Sequence, residues 1–325
     1  QLADADPPPM GSLDGAVESA PTLPADWRPS PLGLEPAHKR QIIEIVTSAE
    51  GDDPYVRIDR DGAFRGERGT DHPAHGRWHS GLAFGNAGFD QDSGLLGQLL
   101  VLMRQRDPAL FDQTFGEHAA DLIAVTTAPG VLSKDAPGGR GPRVQPVAGV
   151  DLWESPWVER FTQAGAQKVF QGAQNQLAAA TYIDPVLQFA ADLGLDSDRA
   201  VAMIVDRAIH RGVDGARHWV IDMVGPAQAP ALRQQALDAL GFADVAAFQA
   251  ASADLLNDEQ FGPLTHAALV AALRALGPGS PIPVLTKSQM IDAMVERSAQ
   301  HPWGPRLQRL KTHPGFGDPA EANGR

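Results

Sequence analysis

Residues 40–64 read RQIIEIVTSAEGDDPYVRIDRDGAF, and a change of rhythm inside this stretch decides the fold class. Up to Glu50 the apolar residues Ile42, Ile43, Ile45 and Val46 fall on one helical face. That helix starts near Pro36, whose missing N–H does no harm in a first turn. Gly51 suits its C-cap, because a left-handed cap conformation costs glycine little. A few residues later the period drops to two: Tyr55-Val56-Arg57-Ile58 alternates as a short strand, Asp61-Gly62 marks a tight turn, and Ala63-Phe64-Arg65 returns. A helix ending in a carboxylate and opening at once into a hairpin, amid helical patterns elsewhere, predicts a mainly α (α+β) fold with one small β element.

Working outward, residues 66–80 read as a loop rich in Gly and His, and Gly81 to Phe89 carries closely spaced glycines. A helix follows from about Ser93, turning Leu95, Leu96, Leu99, Leu100 and Met103 inward. Pro108–Phe115 and Glu117–Thr126 give two more. Residues 128–149 are dense in Pro and Gly (Pro129-Gly130, Pro137-Gly138-Gly139, Gly141-Pro142) and read as a linker. Beyond it, period-3.6 spacing recurs near 155–163, 165–181, 184–193, 197–211, 230–240, 243–255, 263–276 and 286–300. The expected organisation is a Pro-rich arm over 1–35, an N-terminal lobe with the hairpin over 36–127, the linker 128–149, a helical lobe over 150–312 and a loose tail over 313–325. There is no internal repeat.

Composition excludes several classes. The chain has 325 residues, 43% of them hydrophobic, and no apolar run near the roughly 20 residues a membrane span needs. It has no cysteine, so neither disulfides nor thiolate chemistry enter. A net charge of −13 and scattered lysines disfavour a nucleic-acid partner. No Gly-rich phosphate loop follows a strand, and no serine sits in a nucleophile elbow. His72, His75 and His79 beside Asp71 lack the spacing of a helical metal site, so no metal or cofactor is expected. Gln1 followed by a Pro-rich stretch fits a terminus processed behind an export signal, hence a secreted or periplasmic protein, with a truncated chain as the other reading. A monomer is expected.

The order of five segments carries a family resemblance. Thr47-Ser48-Ala49-Glu50 precedes the hairpin, and Gly81-Leu82-Ala83-Phe84-Gly85-Asn86-Ala87-Gly88-Phe89 follows it. Phe170-Gln171-Gly172-Ala173-Gln174 leads to Tyr182-Ile183-Asp184-Pro185, and then to Asp206-Arg207-Ala208-Ile209-His210-Arg211-Gly212. Over residues 40–215 this order resembles the chitosanases, glycoside hydrolases of the lysozyme-like superfamily. The resemblance implies a two-lobed lysozyme-like fold that cleaves a β-1,4-linked amino-sugar polymer.

The chemistry suits Glu50. Glycosidic cleavage needs a carboxylic acid that keeps its proton near neutral pH. A helix C-terminus and apolar neighbours both disfavour the charged form there. The second carboxylate departs from the family pattern, because the Gly-Asp-Gly turn before the glycine stretch is replaced here by Gly76, Arg77, Trp78, His79 and Ser80. Asp71 is the nearest upstream acid, with Asp59 and Asp61 as further options and no second carboxylate as another. In the last case the substrate's own N-acetyl group would assist, which moves peptidoglycan slightly ahead of chitosan. Tyr55, Trp78, His79, Asp59, Asp61 and Asp90 are candidate sugar contacts, Asp90 having an equal explanation at a helix start. Asp206 reads as a structural ion-pair partner. An inactive polysaccharide-binding protein on the same scaffold is the alternative, and a structural module without a sugar site is a third reading.

Overall fold

Helix α1 (Pro36–Thr47) begins at the proline that the sequence marks as its first turn, and buries Ile42, Ile43 and Val46. It belongs to a computed structural model whose described residues are 34–48, 53–59, 79–136, 139–224, 230–252, 255–276 and 285–316. These divide into two compact units: a continuous one over 47–179, and a split one made of 34–46 with 180–316.

In the continuous unit the expected strand at Tyr55-Val56 is instead a 3-10 turn, Pro54–Val56, capped by Asp53, which accepts from the Tyr55 amide at 3.2 Å. Strand β1 (Ile58–Asp59) pairs antiparallel with β2 (Ala83–Phe84), and β2 with β3 (Phe89–Asp90), in the order β1-β2-β3. Ile58 faces Phe84 across the first pair and Phe84 faces Phe89 across the second. The local hairpin is therefore the glycine stretch itself. Its turn needs a positive φ at Gly85 and Gly88, a conformation only glycine adopts cheaply. The proposed return strand at 63–65 lies outside the described residues.

Helices α2 (Leu95–Arg106), α3 (Pro108–Phe115), α4 (Ala119–Thr126), α5 (Trp157–Gly165) and α6 (Lys168–Ala178) complete this unit. Its core is aromatic. Phe84 and Phe161 lie 5.1 Å apart between ring centroids, Phe161 and Phe115 5.3 Å, Phe115 and Phe111 4.7 Å, and Phe111 and Phe170 6.4 Å. Such tilted and edge-on pairs add to what burial alone contributes.

The Pro/Gly-rich stretch 128–149 is no linker. Buried Asp92 accepts hydrogen bonds from the Ser133 amide (2.9 Å) and hydroxyl (2.9 Å), and Val144 and Val147 are buried. Prolines and glycines shape an irregular segment, but its apolar residues and a carboxylate anchor it within the unit. The chain leaves the continuous unit at a π-helical turn, Ala179–Ile183, well past the expected boundary.

The split unit contains α1 and α7 (Asp184–Asp192), α8 (Asp198–Val224), α9 (Pro230–Ala239), α10 (Val245–Ala251), α11 (Pro263–Ala275), α12 (Lys287–Ser298) and α13 (Gly304–Thr312). Gly212 breaks α8 with φ 73° and ψ 163°, where the sequence expects a stop, but the helix resumes after it. Helix α1 joins this unit: Lys39 pairs with Asp184 at 2.6 Å, and the Gln41 side-chain amide donates to the Gly315 carbonyl at 2.8 Å. The described part of the expected loose tail, 313–316, is thus tied down. Helices α9 to α11 share a core of Ala236, Leu237, Phe248, Leu269 and Leu273. Among the described residues no helix is long and apolar enough to cross a membrane.

Candidate active site

Glu50, Asp61, Asp71 and Trp78 lie outside the described residues, as do His72 and His75. Tyr55, Asp59, His79 and Asp90 are described, and they do not form one cluster of contacts. What the structure does show is how the chain just beyond Glu50 is held.

Tyr55 is gripped at its backbone and its hydroxyl by helix α6. The Gln174 side-chain amide donates to the Tyr55 carbonyl at 3.0 Å. The Asn175 amide donates to the Tyr55 hydroxyl at 3.0 Å, and that hydroxyl lies 3.2 Å from the Asn175 carbonyl oxygen. The same two side chains hold the glycine turn: the Asn86 backbone N–H donates to Gln174 Oε1 (2.9 Å) and the Asn86 side-chain amide to Asn175 Oδ1 (2.7 Å). Two glycines make the close approach possible. A Cβ at Gly85 would sit 2.5 Å from Gln174 Oε1, and one at Gly165 would collide with the Tyr55 carbonyl. This frame of Tyr55, Asn86, Gln174 and Asn175 contains no carboxylate or imidazole. It can orient a neighbouring group or a sugar hydroxyl, and any acid must come from outside it.

The other described candidates take separate places. Asp59 is exposed on β1, with Arg57 Nη2 3.8 Å away. The His79 amide donates to the Gly139 carbonyl at 2.8 Å. Both oxygens of Asp90 are engaged by Ser93, whose amide donates at 2.7 Å and hydroxyl at 2.6 Å, at the turn leading into α2. This is the helix-start role. Burial raises the Asp90 pKa against the lowering effect of those bonds, and burial likewise raises that of Asp92. Asp206, expected to be structural, is buried and ion-paired to Arg207 (2.9 Å) and Arg306 (2.6 Å). Among the described residues no group of three or more His, Asp or Glu gathers as metal ligands.

The chain resembles the chitosanases. It is similar to the native chitosanase of Bacillus subtilis MY002, at 14% identity over 88% of each chain with a TM-score of 0.35. It is also similar to a chitosanase of Gynuella sunshinyii solved with chitotetraose, at 15% identity over 88% of this chain and 96% of that one, TM-score 0.37. No family model matches the sequence, and a search of curated proteins found no match. Likeness this distant gives no residue a role.

Sequence reasoning missed Asn175 and the joint use of Gln174 and Asn86. The signal was available: Gln171, Gln174 and Asn175 stand at i, i+3 and i+4 in α6, amides on the face that also buries Phe170 and Leu177. Buried amides are retained where they have partners to meet.

Proposed function

We propose that the protein is a glycoside hydrolase that cleaves a β-1,4-linked amino-sugar polymer, with Glu50 as the general acid. One observation carries the reading. Three segments far apart in sequence meet in one hydrogen-bonded frame: the stretch just after Glu50, the glycine turn and the Gln-rich helix. The latter two carry the sequence resemblance. An acid that must hold its proton at one point in space needs a fixed backbone beside it. Anchoring Tyr55 supports that role for Glu50, five positions upstream.

Peptidoglycan stands slightly ahead of chitosan. No carboxylate precedes Gly81 where the chitosanases carry their second acid, and Asp59 is an exposed surface group beside Arg57. A single acid suits a substrate whose N-acetyl group can support the oxocarbenium-like transition state, with Asp71 as the protein's own alternative. A wall polymer as substrate goes with an exported protein, acting as a monomer. The second reading, a polysaccharide-binding protein without turnover, is favoured by a frame whose four residues include no acid.

The test is mass spectrometry of products from peptidoglycan and from chitosan, with wild type and Glu50→Gln. We expect muropeptides from wild type and at least a thousandfold less from Glu50→Gln, whose circular dichroism and melting stay unchanged. Retained turnover in that variant would overturn the assignment. Binding without products from wild type would leave the second reading.

A further inference from the structure

Past its break at Gly212, helix α8 runs along a cavity of about 420 Å3 within the split unit. Gly215, Trp219, Asp222 and Met223 recur at helical spacing as one wall. Gly215 keeps that wall open, because a Cβ there would sit 2.9 Å from Arg211 Cβ. The other wall is a plate of two rings: His301 stacks flat on Trp303, with centroids 4.3 Å and planes 4° apart. His301 itself is exposed. The volume lies in the range of small-ligand pockets.

The polar side chains around this apolar lining are uncommitted. Arg211 lies over the Trp303 ring, 4.9 Å from its centroid, and has no hydrogen-bond acceptor among the described residues. The carboxylate of Asp222 accepts no hydrogen bond and forms no ion pair among them either. His218 Nδ1 is 2.9 Å from the Asp214 carbonyl, which fixes that nitrogen as a donor and leaves Nε2 for another partner. Arg211 and Asp222 bring one charge of each sign, so the lining gives neither an anion nor a cation the advantage. An apolar wall with free donors and acceptors beside it suits an uncharged ligand that has an apolar face and several hydroxyls. A pyranose ring is such a ligand.

We propose that this cavity is a subsite for an uncharged pyranose, and that it takes an N-acetylated amino sugar in preference to the free amine. The choice of an amino sugar rests on the function proposed above; the preference for an uncharged, two-faced ligand does not. The ring's C–H face and the acetyl methyl meet Trp219, Met223 and the His301–Trp303 plate, and Arg211, Asp222 and His218 Nε2 meet the hydroxyls. The ammonium of glucosamine would face Arg211 and shed water beside apolar rings, with one carboxylate to offset both.

The experiment is hydrogen exchange with calorimetric titration on the full chain carrying Glu50→Gln, so that binding is read without cleavage. The probes are the fully N-acetylated chitotetraose and chitotetraose itself. We expect the acetylated probe to slow exchange over residues 213–223 and to do so at roughly tenfold lower concentration than the free amine. His301→Ala and Asp222→Asn, both changes at exposed side chains, should each weaken that protection severalfold with melting unchanged. Equal protection of 213–223 by the two probes overturns the proposal, and so does protection by neither. Protection that survives both substitutions overturns it as well. Products from wild type are scored separately: cleavage with no protection of 213–223 sinks the subsite alone, and His301-dependent protection without cleavage sinks the hydrolase alone.

Discussion

The frame around Tyr55 and the cluster around Asp206 do the same mechanical task with opposite chemistry. In the continuous unit, four neutral side chains tie a turn, a helix and a loop together by hydrogen bonds of 2.7–3.2 Å. In the split unit, a buried carboxylate joins Arg207 on its own helix to Arg306 on α13. Neutral amides hold geometry without adding a net charge. A buried ion network fixes packing just as firmly, but it makes the unit sensitive to the loss of any member.

Breaking the charged cluster should have the largest effect. Asp206→Ala leaves two guanidinium groups without their shared carboxylate, and we expect about 3–5 kcal/mol lost in urea denaturation. A loss below about 1 kcal/mol would mean that solvent already screens the cluster.

Acid should come next, and it separates the units. Burial, helped by Arg233, lowers the pKa of His266 from 6.5 to about 4, so the folded form keeps the ring neutral. Its contribution is whole above pH 6.5 and fades as the pH falls toward about 4, by about 3 kcal/mol in all. Asp90 and Asp92 run the other way: their pKa values are raised in the folded state, so their ionisation penalty is relieved as the pH falls. Hydrogen exchange at pH 7.5 and 4.5 should show α9 to α11 losing protection first, and His266→Phe should flatten that loss. Equal loss in both units would remove the contrast.

The smallest effect tests the neutral frame. Asn175→Ala removes the partner that the Tyr55 hydroxyl and the Asn86 amide share, costing about 1–3 kcal/mol in thermal melts. Turnover should fall further than stability explains. A double-mutant cycle with Tyr55→Phe should give a coupling of about 0.5–3 kcal/mol. Additivity would show that the two side chains are merely neighbours.

What could be read from the sequence follows the range of the interactions. Helix α1 declares its start at Pro36, and α11 and α12 follow their 3.6 periodicity within a residue or two, because these are local matters. The partner of Ile58-Asp59 was not legible. A period of two names a strand but not its neighbour, and here the neighbour is 25 residues on, at Ala83-Phe84. The stretch 128–149 misled for a related reason: its Pro and Gly content describes a backbone, while its anchorage depends on Asp92, far back in the chain. Of the site, the acid's candidacy came from motif order, whereas the amides that hold its neighbour looked like ordinary polar positions on a helix.

The split unit also sets a schedule for synthesis. Helix α1 leaves the ribosome early with Ile42, Ile43 and Val46 bare, yet the helices of its own unit begin only after residue 180. At ~5–20 residues per second that delay is on the order of ten seconds. Through it the nascent chain carries an uncovered apolar helix while the continuous unit, whose residues are complete by 179, is free to fold first. A chaperone that takes hold of the chain in that interval would meet the apolar face of α1.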